Sequence, residues 1–212
     1  MKTAIRLTVC FAVVCLFTEG KAQYYSGVRL EYHKRLDHPV LTFYDPDNGI
    51  TEKASFEHEK MNVGVYEFTT WRLNDHFTIG EEIGYIIHST NYKFSSGNDN
   101  FFQRIFDFRL LPGYASKRNI IAFQAGPTMS IVLHSKVNGY SEKDKTKWIW
   151  WGSCASVHLR VNRAMFYAGY NRYFTKGNID FVRPLYNTSY KLENRRSYFS
   201  FGVSVIVGGQ YN

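Results

Sequence analysis

Segments in which apolar residues alternate with small or polar residues recur eight times along this chain, and the gaps between them alternate between long and short. Alternation with a period of two is typical of a β-strand with one apolar and one polar face. Eight such strands, joined alternately by long loops and tight turns, predict a closed up-and-down barrel in which chain neighbours pair around a ring.

The alternation is clearest in the last predicted strand, where Phe199, Phe201 and Val203 alternate with Ser200 and Gly202. It is weaker in the first four strands. The eight predicted strands are residues 24–36, 61–73, 77–88, 103–111, 120–133, 148–162, 164–174 and 198–208.

Two acidic residues interrupt the apolar faces of these strands, Glu67 in the second strand and Glu81 in the third. A carboxylate that faces lipid costs free energy unless it lies near the membrane interface or a bulge shifts the register of the strand. These two residues are the main observations against a membrane barrel.

The connections distinguish between kinds of barrel. The short connections are residues 74–76, 112–119 and 163, and Pro112-Gly113 is a turn signal. The long, polar connections are residues 37–60, 89–102, 134–147 and 175–197. Short turns on one side and long loops on the other are typical of outer-membrane barrels.

The second face of the strands consists of Gly, Ser, Thr and charged residues, whereas a soluble eight-stranded barrel fills its interior with apolar side chains. This difference favours lipid outside and a polar interior. Aromatic residues make up 17% of the chain, which fits either a soluble β-protein with an aromatic core or a barrel with aromatic girdles at the membrane interfaces. The mean hydropathy of −0.33 is compatible with the barrel because only alternate residues face lipid. The predicted fold is therefore all-β, an eight-stranded antiparallel up-and-down transmembrane β-barrel.

Residues 1–22 are typical of a secretory signal peptide. Lys2 and Arg6 precede an apolar stretch over residues 7–17, and Gly20 and Ala22 occupy the positions that signal peptidase reads. The stretch is too short for the alternative, a membrane-spanning anchor. We expect cleavage before Gln23, secretion through the inner membrane, and one barrel domain over residues 23–212.

Cysteine use agrees with this organisation. Cys10 and Cys15 lie in the predicted signal peptide without the preceding pattern of a lipoprotein, and Cys154 is the only other cysteine. No intrachain disulfide can then form after cleavage, which argues against a small disulfide-stapled secreted module.

Four short segments carry a family resemblance. They are Lys21-Ala22-Gln23, the stretch Arg-Leu-Leu-Pro-Gly-Tyr at 109–114, Ala125-Gly126-Pro127, and the stretch Phe-Ser-Phe-Gly-Val at 199–203. With these segments the chain resembles the small outer-membrane β-barrel proteins of Bacteroidetes, the PorT-like and OmpA-like barrel families. It departs from the commonest barrel ending because its last aromatic residue, Tyr211, precedes the C-terminal residue. The resemblance implies the fold and an outer-membrane location, and it implies no shared chemistry.

The polar face carries charges of both signs, which we expect to pair inside a narrow barrel because an unpaired buried charge is costly. One interpretation is a structural network of salt bridges that closes the lumen, and the other is a gated pore or proton-linked site. Eight strands leave an interior only just wide enough for side chains, which favours the structural network. Its predicted members are Arg29, Glu31, Glu82, Asp107, Arg109, His158 and Arg160.

Histidines near the long loops raise the alternative of a lipid-modifying enzyme, because acyl transfer needs an activated oxygen nucleophile. His88-Ser89 and His134-Ser135 offer such residues, but consecutive residues on a strand point to opposite faces. Histidines 38 and 58 with neighbouring acids offer metal ligands, but in no recognised ligand spacing. We therefore predict no catalytic residue, cofactor or metal site.

The two longest loops differ in charge. Residues 37–60 carry six acids and two lysines, a net charge of −4, and residues 175–197 carry a net charge of +3. A basic loop would be attracted to lipopolysaccharide phosphates, and an ordinary solvated loop is the equally weighted alternative. Cations without interleaved base-stacking aromatic residues argue against a nucleic-acid partner.

The leading functional prediction is a non-enzymatic outer-membrane barrel with a closed polar interior. Its long loops would serve surface interaction or envelope integrity through contacts with outer-membrane lipid, lipopolysaccharide, or envelope and host proteins. The alternatives are a component of an envelope secretion or uptake machine, which the PorT-like resemblance implies, and a lipid-modifying enzyme that uses rim His and Ser residues.

Overall fold

The computed structural model describes residues 23–37, 40–95, 97–137, 140–141, 149–175, 177–183, 188–194 and 196–210. The predicted signal peptide lies outside the described residues. Within them, no helix is long and apolar enough to cross a membrane.

The described residues are arranged almost entirely in β-strands. The strands are β1 (Gln23–Arg35), β2 (Val40–Asp45), β3 (Ile50–Lys53), β4 (Ser55–Arg72), β5 (Phe77–Phe94), β6 (Gly97–Ala115), β7 (Ile121–Val137), β8 (Tyr140–Ser141), β9 (Ile149–Val161), β10 (Ala164–Tyr173), β11 (Gly177–Arg183), β12 (Thr188–Asn194) and β13 (Ser197–Gln210).

Eight of these strands form a closed ring. In chain order they are β1, β4, β5, β6, β7, β9, β10 and β13; each pairs antiparallel with the next, and β13 pairs with β1. The predicted eight-stranded antiparallel up-and-down barrel is therefore confirmed. The end of the barrel that contains the turns at 74–76, 116–120 and 162–163 is called the short-turn end, and the opposite end is called the long-loop end.

The register of the ring fixes the width of the barrel. We start at Gln23 and move from each residue to its cross-strand partner on the next strand. One circuit of the ring returns to β1 at His33, ten residues further along the strand. Eight strands with this offset tilt by roughly 40° to the barrel axis and enclose a space just wide enough for side chains.

Alternate side chains of each barrel strand face the lumen and the exterior of the barrel. On β1, Val28, Leu30 and Tyr32 are exposed on the outer face, whereas Arg29 and Glu31 are buried in the lumen. Large exposed hydrophobic side chains occur on the outer faces of all eight barrel strands. An apolar surface of this extent suits contact with lipid rather than with water, as in a transmembrane barrel.

Glu67 and Glu81 both lie on this outer face. The β4–β5 ladder is in regular register where they occur, and its two shifts lie nearer the long-loop end, between Phe56 and Met61. Glu67 is the cross-strand partner of Val28, and Glu81 is that of Leu110. No bulge therefore turns these carboxylates inward.

In three of the predicted long loops, the adjoining barrel strands extend into the residues predicted as loop. The predicted loop at 89–102 is wrong, because β5 continues to Phe94 and β6 starts at Gly97. Likewise β4 starts at Ser55 and β7 ends at Val137. Backbone pairing continues beyond the apolar belt, where the outer face of the strands meets water. Both faces can be polar there, so the alternation of apolar and polar residues ends before the strands do.

The predicted turn at Pro112-Gly113 is also wrong. Both residues lie within β6, and the turn follows at residues 116–120. Pairing between β6 and β7 runs to Arg109 and resumes at Gly113, so Pro112 occupies a gap in the ladder where its missing N–H removes no ladder hydrogen bond.

The first and last long loops together build a second sheet, which sequence analysis did not predict. Its strand order is β11-β12-β2-β3, and β2 pairs antiparallel with β12. Leu41 of β2 is fully buried, and the ring of Phe43 lies 5.2 Å from that of Tyr190 and 6.4 Å from that of Phe94 on β5. The sheet thus packs against the extension of the barrel wall.

The interior consequently has two zones, and both contain buried polar side chains. The zone at the long-loop end adds an aromatic cluster that was not predicted. Beneath the second sheet lies an apolar cluster of Leu41, Tyr66, Ile86, Tyr92, Phe94, Phe101, Ile105, Val132, Val137, Trp150, Tyr173, Tyr190 and Tyr198. Burial raises the pKa of the Tyr92 phenol in this cluster to about 12. The charged zone lies nearer the middle of the barrel.

Leu41 anchors the second sheet, so Leu41→Ala is expected to remove about 2–5 kcal/mol of packing at this contact. The barrel should stay folded while the β2–β3 turn becomes more sensitive to protease. Limited proteolysis combined with gel mobility of unheated samples measures both effects. The control is Val40→Ala at the neighbouring exposed position; equal cleavage of the two variants would contradict the prediction.

Candidate functional site

The charged zone of the lumen is built from alternate residues on three of the barrel strands, β1, β5 and β6. Arg29, Glu31 and His33 follow one another along the inner face of β1. Glu82 on β5 is the direct cross-strand partner of Arg109 on β6, and Asp107 lies two residues from Arg109 on the same face. The period of two therefore delivers these side chains to one level of the barrel.

Arg29 bridges two carboxylates. Its Nε donates to Glu31 Oε1 at 2.6 Å, and its Nη2 donates to Glu82 Oε2 at 2.5 Å. The guanidinium also lies 4.0 Å from the centroid of the Tyr167 ring and 5.3 Å from that of Tyr66. Charge-assisted hydrogen bonds and aromatic faces together replace the water that Arg29 loses on burial.

Arg109 lies at the centre of the network. Its Nη1 and Nη2 bind Glu31 through both carboxylate oxygens, at 3.0 and 3.2 Å. Nη1 also lies 3.2 Å from Glu82 Oε2, and Nε donates to Asp107 Oδ2 at 2.9 Å. One guanidinium thus contacts all three carboxylates of the charged zone, using the fork geometry that only arginine offers.

Hydroxyl groups complete the coordination of Asp107 from several strands. Its Oδ2 accepts from Tyr66 Oη at 3.0 Å. Its Oδ1 accepts from Ser130 Oγ at 2.5 Å, Tyr173 Oη at 2.9 Å and Thr128 Oγ1 at 3.2 Å. A carboxylate with four hydroxyl donors and one guanidinium is held in one position.

A glycine makes room for the Tyr66 ring between these groups. Gly84 lies opposite Tyr66 across the β4–β5 ladder, and a Cβ at position 84 would lie 2.2 Å from the ring. Tyr66 then stacks within 4.1 Å of the Arg109 guanidinium. The glycine at this position is required for close approach and not for backbone conformation.

The network is sealed from solvent. Arg29, Glu31, Asp107 and Arg109 are 0% exposed, and Glu82 is 2% exposed. Two guanidinium groups face three carboxylates, and His33 Nε2 lies 2.9 Å from Glu31 Oε2. Because almost every oxygen and donor has a protein partner, the arrangement holds charges in place and presents none of them to a substrate.

His158 and Arg160 occupy other positions in the lumen. His158 is buried and pairs with Ser156 Oγ at 3.0 Å, with its ring against Tyr167 at 5.1 Å. Arg160 lies at the short-turn end, where its Nε donates to the carbonyl of Asn162 at 3.0 Å and its guanidinium lies 5.4 Å from the Tyr25 ring. Five of the seven predicted residues therefore meet in one ion-pair network.

The hydroxyl groups that bind the network were not predicted from the sequence. Thr128, Ser130 and Tyr167 lay on the predicted polar faces, but as ordinary lumen residues without a role. Tyr66 and Tyr173 could have been found by extending the period of two from Gly64 on β4 and from Asn171 on β10. Both tyrosines were counted as apolar because of their large rings, although it is the hydroxyl group that hydrogen-bonds to the network.

In the two His–Ser pairs raised by the enzyme alternative, the described histidine and serine side chains form no hydrogen bond with each other. His134 is half-exposed on the outer face near Lys136 and Arg104, and burial followed by these two cations lowers the pKa of His134. Ser135 points inward and accepts from Gln103 Nε2 at 3.0 Å. His88 Nδ1 pairs with Asn62 Oδ1 at 2.5 Å, whereas Ser89 Oγ donates to Asn100.

The candidate metal ligands are described only in part. His38 lies outside the described residues, and His58 Nδ1 lies 3.6 Å from a Glu57 carboxylate oxygen. Within the described ranges, no group of three or more His, Cys, Asp or Glu residues could hold a metal ion.

Fold and lumen together define the class, a transmembrane β-barrel of eight strands whose interior contains a buried ion-pair network. No protein-family model matches the chain, and no curated protein sequence matches it. Solved structures do. The outer membrane protein OprG from Pseudomonas aeruginosa superposes with a TM-score of 0.57 at 12% identity, over 88% of this chain and 96% of that one.

Two other solved structures superpose with lower TM-scores. Neisserial surface protein A superposes with a TM-score of 0.42 at 14% identity, over 87% of this chain and 97% of its own. Ail, the attachment invasion locus protein of Yersinia pestis, gives 0.44 at 8% identity, over 87% and 99%. The likeness to OprG concerns the fold.

Arg109→Met tests the network. The substitution is expected to lower the free energy of unfolding by about 3–5 kcal/mol, because it leaves three buried carboxylates without their shared cation. Urea titration of the refolded barrel, followed by gel mobility of unheated samples, measures the change. Arg104→Met, at an exposed position on the same strand, is the control, and a shared midpoint would contradict the assigned role.

Proposed function

We propose that the protein is a non-enzymatic barrel of the bacterial outer membrane, closed to ions and small solutes, that presents an ordered sheet at the cell surface. The observation that carries the proposal is the sealed network in the lumen. Each of its guanidinium and carboxylate groups pairs with groups on other strands, so opening a water path would break several charge-assisted hydrogen bonds at once.

The second sheet supports a surface role. Strands β2, β3, β11 and β12 lie at the long-loop end, which faces the exterior in outer-membrane barrels. Val40, Tyr44 and Ile50 are exposed on this sheet. An ordered sheet with exposed apolar side chains suits contact with envelope or host proteins better than a solvated loop does.

Secretion and the relationship to a particular barrel family are proposed from the sequence. Residues 1–22 have the features of a secretory signal peptide, and the segments around Arg109, Ala125 and Phe201 carry the resemblance to PorT-like and OmpA-like barrels of Bacteroidetes. A deletion strain examined for secreted cargo would test a role in an envelope secretion or uptake machine.

The expected behaviour of the purified barrel is a folded band that shifts on heating and no unitary conductance in planar bilayers. The physical reason is the lumen filled by side chains over its whole cross-section. Single-channel recording in concentrated salt measures this directly, with folding checked on the same sample by gel mobility. Steady current steps from folded wild-type protein would contradict the closed lumen, and recovery as a soluble periplasmic protein would contradict the location.

A further inference from the structure

The short-turn end of the barrel contains a pocket at the mouth of the lumen. Its volume is about 450 Å³, which lies within the usual range of small-molecule sites. Strands β1, β4 and β9 supply residues from their inner faces, and the turn at 116–120 bounds the pocket on one side. The residues that line the pocket are Gln23, Arg72, Lys117, Arg118, Asn119, Ile120, Arg160 and Asn162.

The charge of this pocket is one-sided. Lys117 and Arg118 are exposed, Arg72 and Arg160 are partly buried, and none of the described residues that line the pocket is Asp or Glu. Asp75 lies in the neighbouring turn but does not line the pocket. Among the described residues, Arg72, Lys117 and Arg118 form no salt bridge. Cations gathered in a concave site without an acid create a positive potential that attracts anions.

The turn that supplies two of these cations is ordered by its own hydrogen bonds. Ser116 Oγ accepts from the backbone N–H groups of Ile120 and Ile121 at 3.0 and 3.2 Å. Arg72 Nη2 donates to the carbonyl of Lys117 at 2.9 Å and so ties the turn to the end of β4. The backbone of the turn is therefore held in place before a ligand arrives, which lowers the cost of ordering the site on binding.

The floor of the pocket is closed by apolar side chains. Beneath the pocket lies a buried cluster of Tyr25, Phe68, Met165 and Ile206. The Arg160 guanidinium lies 5.4 Å from the Tyr25 ring on the pocket side, and Arg29 of the charged zone lies 5.7 Å from the Phe68 ring. The cluster thus separates the pocket from the charged zone. A ligand bound in the pocket finds no path onward through the lumen.

We propose that this pocket binds the phosphate group of a small, soluble phosphate ester. The inference rests on the proposed outer-membrane location, which places the short-turn end in the periplasm, and it goes beyond the proposed function. A phosphate monoester carries about −1.5 to −2 charges at neutral pH and three terminal oxygens. A carboxylate carries one charge and two oxygens in one plane. Cations that reach the pocket from β4, β9 and the turn at 116–120 suit the phosphate group better.

The position of the pocket favours a soluble ester over a phospholipid headgroup. Gln23, Arg72 and Arg160 lie on inner faces of the barrel strands, so the pocket opens along the barrel axis towards water. Lipid contacts the outer faces of the same strands. A headgroup would therefore have to cross the rim of the barrel to reach the pocket.

The test is a titration with glycerol phosphate of the full chain refolded in a maltoside detergent, which carries no phosphate. Isothermal titration calorimetry measures the affinity, and acetate at the same ionic strength is the carboxylate comparison. Wild-type protein is expected to bind one glycerol phosphate and to bind acetate about tenfold more weakly. Binding should weaken as sodium chloride is added, because salt screens the exposed cations.

Arg118→Gln removes one exposed cation of the pocket. It is expected to weaken glycerol phosphate binding about tenfold, the effect of losing one good charge-assisted contact. The matched control is Arg163→Gln, which removes an exposed arginine at the same end of the barrel from a position that does not line the pocket. Both variants lose the same charge, and Arg163→Gln should bind as wild type does. Gel mobility of unheated samples checks that each variant is folded.

The same titrations contain the results that would overturn the proposal. No binding by folded wild-type protein, or equal affinity for acetate, would exclude a phosphate site. Equal losses in Arg118→Gln and Arg163→Gln would assign the attraction to the net charge of this end of the barrel.

Nanodiscs distinguish the two sources of phosphate. Wild-type protein should keep its affinity for glycerol phosphate whether the nanodiscs contain phosphatidylcholine alone or phosphatidylglycerol as well. Loss of binding when phosphatidylglycerol is present would assign the pocket to a lipid headgroup and overturn the proposed ligand. Conductance is measured on the same samples, so failure of the phosphate site is distinguishable from failure of the closed membrane barrel.

Discussion

The contacts of the Arg109 guanidinium organise the interior of this barrel. It reaches Glu31, Glu82 and Asp107 on three strands and accepts the face of Tyr66, so one side chain links strands that are remote in sequence. A narrow barrel excludes water from its middle, and charges there are tolerated only when they are fully paired. Arg29, the hydroxyl groups around Asp107 and the space above Gly84 are arranged accordingly.

The two zones of the lumen follow from the unequal lengths of the barrel strands. Strands β4 to β7 are longer than the other barrel strands and continue beyond their ends, so their inner faces need cover. The second sheet supplies that cover with Leu41 and Tyr190, and the interior beneath it is aromatic. The acidic loop and the basic loop, which sequence analysis treated separately, share this sheet through the β2–β12 ladder. Their joint packing converts loops into a defined surface.

Much of the barrel was predictable and part of the site was not. Alternation identified all eight barrel strands because lipid on one side and a packed polar lumen on the other impose it directly. It ended strands early at His88 and started them late at Gln103, since beyond the apolar belt both faces can be polar. It also placed Arg29, Glu31, Glu82, Asp107 and Arg109 on inner faces. It could not show that they meet, or that His158 and Arg160 lie elsewhere, because meeting depends on register.

The sequence by itself determined the number of barrel strands, which face of each strand meets lipid, and the presence of charges of both signs inside. These are local properties, readable from neighbours two residues apart. Only the tertiary structure decided the ten-residue offset around the ring, the partners of Arg109, and the pairing of β2 with β12. Those features join residues far apart in the chain. Their energies depend on the relative shift of whole strands, which no local pattern specifies.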